Sequence, residues 1–275
     1  MESKAFYVAA HVAVGAAYAA LAWNIWRALR DAAPPTKNWP VPLIAAAHAV
    51  LLATAVVDAG VLRFGFAQAL SATLLLAVVV VWVEGLVVPI RGLLALMLPV
   101  AAVSCVLPAL FAGAPITTAS DSTAFRVHLL MAIAAFSLLT IAALHALLMA
   151  SMDRSLHAPL AKDSAAARVF AEVPPLLQME RLLFQLIGAG FVLLSATLVS
   201  GVLFTEAVAG RALRFDHKTV FTISSWLVFA GLLAGRLAFG WRGRTALRWT
   251  LAGFAMLMLA YVGSRFVLEV ILGRM

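Results

Sequence analysis

Charge is what this sequence has least of. Charged residues fill 12% of its 275 positions and hydrophobic residues 64%, against roughly 25% and 45–50% in soluble domains. So little charge cannot clothe an ordinary water-soluble globule. Cysteine is almost missing: Cys105 stands alone, which excludes an internal disulfide and a thiolate metal cluster. It lies in an apolar run, where inert packing is expected. Buried acids are also scarce. Asp58 and Glu84 fall at the ends of apolar runs, not at the midplane where secondary transporters place their sites. There is no H-E-x-x-H, no phosphate-binding loop and no nucleophile elbow, so no catalytic residue is assigned and no enzymatic activity is expected. The ~10-residue alternation of an outer-membrane barrel is absent as well. No cleavable leader is expected either. The first apolar run follows Glu2 and Lys4, is longer than a leader's apolar region and lacks a clear cleavage site.

What is present is a series of continuous apolar runs. A bilayer core about 30 Å thick takes roughly 20 residues of helix to cross, and helices satisfy their own backbone there. The runs predict about eight spans: 6–26, 41–60, 66–84, 92–111, 126–149, 181–206, 219–239 and 246–270. The fold class is therefore all-α, a polytopic inner-membrane helix bundle read as one membrane domain, 1–275. Trp23 and Trp26 are interface anchors. Gly240-Trp241-Arg242-Gly243-Arg244 is a tight basic turn, 112–125 an irregular loop, and 151–180 a surface loop with one amphipathic helix.

The net charge is +8. The lysines and arginines sit in short loops between spans, so they read as orientation signals and not as a nucleic-acid surface. The loops after spans 1, 3, 5 and 7 are the richer set. They are therefore cytoplasmic, 151–180 among them, and both termini face outward. So does the polar stretch Arg211-Ala-Leu-Arg-Phe-Asp-His-Lys-Thr219. Its cluster of Arg211, Arg214 and Lys218 lies on the side poorer in positive charge. Either it meets an anionic ligand, or it is one of the outside positive groups that many membrane proteins carry.

Six histidines punctuate the chain. His11, His128 and His217 gather toward the outer side, and imidazole is the usual protein ligand of haem iron. His145 lies 17 residues beyond His128, about 25 Å along a helix, so the two cannot share a small site. For His11, His48 and His145 a satisfied, hydrogen-bonded side chain is the reading, and His157 belongs to the cytoplasmic loop. Arg126 precedes His128, and Arg211 and Arg214 precede His217. Guanidinium groups suit carboxylates such as haem propionates, or else they snorkel to the interface. Arg265 and Glu269 can pair on one helix face, and Asp58 can meet Arg63.

Three stretches carry a family resemblance. Phe125-Arg-Val-His128-Leu-Leu-Met131, followed by Ala135 and Ser137, resembles the histidine-and-methionine span of the cytochrome c assembly family. Leu182-Leu-Phe-Gln-Leu-Ile-Gly-Ala-Gly-Phe191, then Gly201, resembles that family's Y-R-L-I-G-I-G-F…G run. Phe215-Asp-His-Lys-Thr-Val220…Ile223-Ser-Ser-Trp226 resembles W-D-P-K-E-T…I-T-W, and Gly263 a glycine of the final span. The likeness covers 125–265, and the pattern is similar to the smaller eight-span branch of YpjD-like and HemX-like proteins. It departs in four ways. No tryptophan lies between Gly201 and Asp216, His217 stands where the family has proline, the second external histidine has no counterpart, and the histidine near the end of span 7 is replaced around Gly235-Arg236.

The resemblance implies a membrane haem handler of the bacterial inner membrane, with a b-type haem at the outer ends of spans 5–8. His128 is the iron ligand it carries over. His217 is a second candidate ligand from this sequence itself. Arg126, Arg211, Arg214 and Arg265 would face the propionates, and Asp216 would orient His217. Besides the bilayer, a membrane partner protein is expected. Two other readings stay open: a haem-free structural or regulatory subunit on the same scaffold, favoured by the missing tryptophans, and a transporter, which would need a polar path.

Overall fold

A computed structural model describes residues 2–31, 39–58, 61–86, 91–115, 123–157, 176–209 and 217–260. The all-α expectation holds. Among the described residues are eight helices: α1 Glu2–Arg30, α2 Pro40–Val56, α3 Phe66–Glu84, α4 Arg91–Leu110, α5 Thr123–His157, α6 Leu176–Ala209, α7 His217–Phe239 and α8 Gly243–Met258. Six stretches within α1, α3, α4, α5, α6 and α7 are long and apolar enough to cross a membrane, and α2 is a shorter apolar helix.

Several boundaries differ from those expected. The second span ends at Val56 instead of 60. The chain then forms a hairpin of β1 Val57–Asp58 and β2 Val61–Phe64, in which Val57 faces Leu62 and Asp58 faces Val61. Apolarity cannot separate a helix end from a β-branched strand, and valine favours the strand. A short strand, β3 Ala114–Pro115, forms inside the stretch expected to be irregular. The 151–180 surface loop is shorter than expected. α5 continues to His157, so this histidine ends a helix, and α6 begins at Leu176 after the Pro174-Pro175 pair. Polar residues continue these helices past hydrocarbon depth because hydropathy marks the bilayer and not the helix end.

The helices form two compact units, 1–113 with 148–179, and 114–147 with 180–275. In the first, α1 lies against α4. Gly15 permits the approach: a Cβ there would meet the Ala102 carbonyl oxygen and the Val106 Cγ2 at 3.0 Å. Pro99 stands inside α4. Lacking an N–H, it leaves the carbonyl four residues back, that of Ala95, without its helical donor. The Trp26 indole supplies one, donating to Ala95 O at 3.0 Å. Trp26 was expected as an interface anchor; its indole instead repairs the proline break. At the start of α3, the side chain of buried Gln68 accepts from Gly65 N at 3.0 Å and donates to Phe111 O at 3.0 Å. This ties the N-terminus of α3 to the end of α4.

In the second unit, glycines on α7 and α8 bring those helices together. A Cβ on Gly253 would sit 3.0 Å from the Phe229 ring, and one on Gly231 3.0 Å from Trp249. The Ser225 hydroxyl crosses to the Gly253 carbonyl at 2.8 Å. The basic turn is found as expected. Gly240 and Gly243 take φ of 65° and 53°, a left-handed conformation that side chains with a Cβ resist.

If Trp26 serves the carbonyl that Pro99 orphans, Trp26→Phe should destabilise the protein by about 1–3 kcal/mol, the cost of an unsatisfied buried group. Denaturation in detergent micelles measures it. The loss should be smaller in the Pro99→Ala background, where the helix supplies its own donor. Equal losses in both backgrounds would show that Trp26 does something else.

Candidate functional site

Of the residues that drew attention in the sequence, His128 stands where α5 adjoins α6 within the second unit, and Trp226 of α7 packs on the same α6. α5 and α6 run antiparallel and approach through glycine. A Cβ on Gly190 would stand 2.8 Å from Leu139, and one on Gly201 3.4 Å from His128 Cε1. Gly190 and Gly201 are about three turns apart on α6, as Leu139 and His128 are on α5. The same glycine stripe that lets the helices touch therefore leaves room beside the imidazole.

His128 is partly buried in the second turn of α5. Its Nδ1 lies 2.8 Å from Ser200 Oγ. Ser200 Oγ is also 3.1 Å from the Thr197 carbonyl, which can only accept. A hydroxyl has one proton. Turned to His128, that proton makes Nδ1 an acceptor; turned to Thr197 O, it makes Ser200 accept from His128, whose own proton is then on Nδ1. In the second case Nε2 carries the lone pair, the form in which imidazole binds a metal. A hydrogen bond at the other ring nitrogen also fixes ring orientation and raises ligand basicity.

The α6–α7 contact lies one to two turns along. The Trp226 indole donates to Ser195 Oγ at 2.8 Å, Ser195 donates in turn to the Phe191 carbonyl at 2.8 Å, and the Trp226 ring stacks on Phe191 with centroids 5.4 Å apart. Trp226 was legible as part of the family-like run. Ser195 and Ser200 were missed. Their signal was the set Ser195, Thr197 and Ser200 in an otherwise apolar helix.

The remaining expected residues divide clearly. His217 is exposed and is the first residue of α7, not part of a polar loop. Its neighbour Lys218 is near enough to His128 to act on it electrostatically. Arg126 is exposed in the first turn of α5. Arg211, Arg214, Asp216 and Arg265 lie outside the described residues, as does any pairing of Arg265 with Glu269. The side chain of Asp58 lies outside them too. His11 belongs to the first unit, where it contacts the Cys105 carbonyl at 2.7 Å. No group of three or more His, Cys, Asp or Glu side chains placed to hold a metal ion occurs among the described residues.

At the opposite end of α7, Arg236 stands near the place of a family histidine. Its Nη1 lies 2.8 Å from Glu180 Oε1 and donates to the Trp241 carbonyl at 3.2 Å, and its guanidinium covers the Phe184 ring at 4.5 Å. Arg242 Nε reaches the same Glu180 oxygen at 3.6 Å. One carboxylate shared by two guanidinium groups fastens α6 to the basic turn, so Arg236 is structural here.

The model of a family described as cytochrome C assembly protein matches residues 37–272. An uncharacterized 28.8 kDa protein of Azospirillum brasilense is 34% identical over 146 residues, 53% of this chain and 52% of that protein. The inner membrane protein YpjD of Escherichia coli K12 is 35% identical over 156 residues, 57% of this chain and 56% of YpjD. The cytochrome c biogenesis protein CcsA of Prochlorococcus marinus is 34% identical over 86 residues, 31% of this chain and 27% of CcsA. The chain thus spans about half the length of the first two of these relatives. No solved structure matches it. With its apolar helices and this match, the chain is a multi-pass protein of the bacterial inner membrane and belongs to the cytochrome c assembly family.

Proposed function

We propose that this protein holds a b-type haem where α5, α6 and α7 adjoin at the outer membrane face, with His128 Nε2 as an axial ligand. The observation that carries this reading is the hydrogen bond at His128: Ser200 engages Nδ1 and leaves Nε2 as the nitrogen that can ligate. Gly201 keeps the space beside the ring clear. The relative CcsA bears the name of a cytochrome c biogenesis protein, which suits haem as cargo. Bound there, haem would supply a redox-active iron. The chain's own part is to fix the ring of His128, to offer Arg126, Arg211, Arg214 and Arg265 to the propionates, and to keep the apolar porphyrin face among membrane helices. His217, one residue from Lys218, is the candidate second ligand, and Asp216 its orienting partner. Both termini and this site lie outside, and the 151–180 stretch with the basic turn lies in the cytoplasm, following the distribution of lysine and arginine.

A second reading has its own observation. The stretch between Gly201 and Asp216 contains no tryptophan, so the scaffold would serve as a haem-free structural or regulatory subunit. That reading predicts no cofactor and a membrane partner recovered in mild detergent.

Absorbance of the purified, haem-loaded protein separates the two. Bands of a six-coordinate reduced haem should appear and should vanish in His128→Ala. Failure to bind haem above background would sink the first reading. An unchanged spectrum in His217→Ala would remove only the second ligand. Ser200→Ala should keep the bands but weaken haem retention about 10–100-fold, the usual effect of losing a ligand's hydrogen-bond partner. Titration of the apoprotein with haem measures this.

A further inference from the structure

The first unit contains a second polar centre, unconnected with haem in the reading above. Four helices contribute to it. His11 and Tyr18 stand on α1, His48 on α2, Ser71 on α3 and Cys105 on α4, and all five are fully buried. Polar groups this deep in an apolar bundle are expensive and mark proton or substrate sites.

His48 is held at both ring nitrogens. Nε2 lies 2.8 Å from Ser71 Oγ, and Nδ1 lies 3.4 Å from the Tyr18 hydroxyl. Both partners are hydroxyls, and a hydroxyl can donate or accept. Two arrangements therefore satisfy the same three groups. In one, Tyr18 donates to Nδ1 while Nε2–H donates to Ser71. In the other, Ser71 donates to Nε2 while Nδ1–H donates to Tyr18.

His11 is the second half of the centre. Its Nδ1 donates to the Cys105 carbonyl at 2.7 Å, since a carbonyl only accepts. Its Nε2 therefore holds a lone pair, and that atom is buried with no hydrogen-bond partner. A buried acceptor left in this way is the usual seat of an internal water. His11 is near enough to His48 to act on it electrostatically. The other groups here that can take up or release a proton are Tyr18 and Tyr7 on α1 and Cys105 on α4. Tyr7 meets the His11 ring edge-on at 4.7 Å, and Cys105 Sγ lies 3.9 Å from the His11 carbonyl. Carboxylates and basic side chains take no part in the contacts described for this centre.

We propose that this centre is a proton relay: His48 passes a proton between Tyr18 and Ser71, and His11 Nε2 holds a water molecule beside it. The step balances as follows. A hydronium ion gives a proton to the Tyr18 oxygen and becomes water as the Tyr18 proton moves to Nδ1. The Nε2 proton passes to Ser71, and the original Ser71 proton leaves to a second water, which becomes hydronium. Each group is neutral before and after, so the bundle carries a proton without housing a permanent ion in hydrocarbon.

Nitrogen-15 histidine NMR of the full chain in lipid bilayers tests this. His48, assigned by difference against His48→Gln, should show both nitrogens averaged between protonated and bare positions, and His11 Nε2 should show a bare nitrogen in contact with water. The two conservative variants should then lock His48 in opposite forms. Tyr18→Phe leaves Ser71 as the only partner and should fix the proton on Nε2. Ser71→Ala leaves Tyr18 and should fix it on Nδ1, because a buried bare N–H is the costlier orphan. One fixed form of His48 in the unaltered protein would overturn the relay. Absence of a water contact at His11 would overturn the water site and, with it, the proposal. Haem binding is not read in this experiment, so its outcome is independent of the haem assignment.

Discussion

Everything in this bundle depends on one constraint: a polar group in hydrocarbon must find its partner inside the protein. The helices satisfy most of their backbone, and the exceptions shape the packing. Pro99 breaks the ladder at Ala95, and the only remedy is a donor from another helix, so Trp26 fixes where α1 meets α4. Hydroxyls solve the same problem locally. Ser137, Thr140, Ser195, Thr197 and Thr250 each donate to the carbonyl four residues back. A hydroxyl whose proton is committed in this way becomes an obligate acceptor on its other side. Ser195 then receives the Trp226 indole.

The same constraint gives the histidines different characters. A carbonyl partner fixes the ring proton of His11 in one place. Two hydroxyl partners leave the His48 proton free to change sides. His145, almost fully buried, has an Nδ1 with no hydrogen-bond partner, and nothing in the structure explains it. A satisfied side chain, the sequence expectation for His11, His48 and His145, is met fully by His48, at one nitrogen by His11 and not at Nδ1 of His145.

Close approach comes from small residues instead of hydrophobic matching, because lipid is as apolar as leucine and cannot drive two helices together. Gly15, Gly190, Gly231 and Gly253 sit at such contacts. Gly201 does the same beside His128, which makes one glycine both a packing device and part of the candidate site. In the sequence Gly190 and Gly201 were visible only as part of a family-like run. What each of them faces needed the partner helix.

Composition and hydropathy by themselves determined the membrane class, the helical fold and the order of the spans, because a bilayer admits few other solutions for such apolar runs. The family resemblance, and not composition, singled out His128. Composition and hydropathy could not set helix ends at Val56 or His157, since apolarity reports depth and not hydrogen bonding. Nor could they assign ring protons. Which nitrogen of His128 is engaged depends on Ser200, 72 residues away in the chain. His48 depends likewise on Tyr18 and Ser71 from two other helices. Only tertiary structure decided these, because a histidine's chemistry is set by what its two nitrogens touch, and those partners are brought together by packing rather than by neighbourhood in sequence.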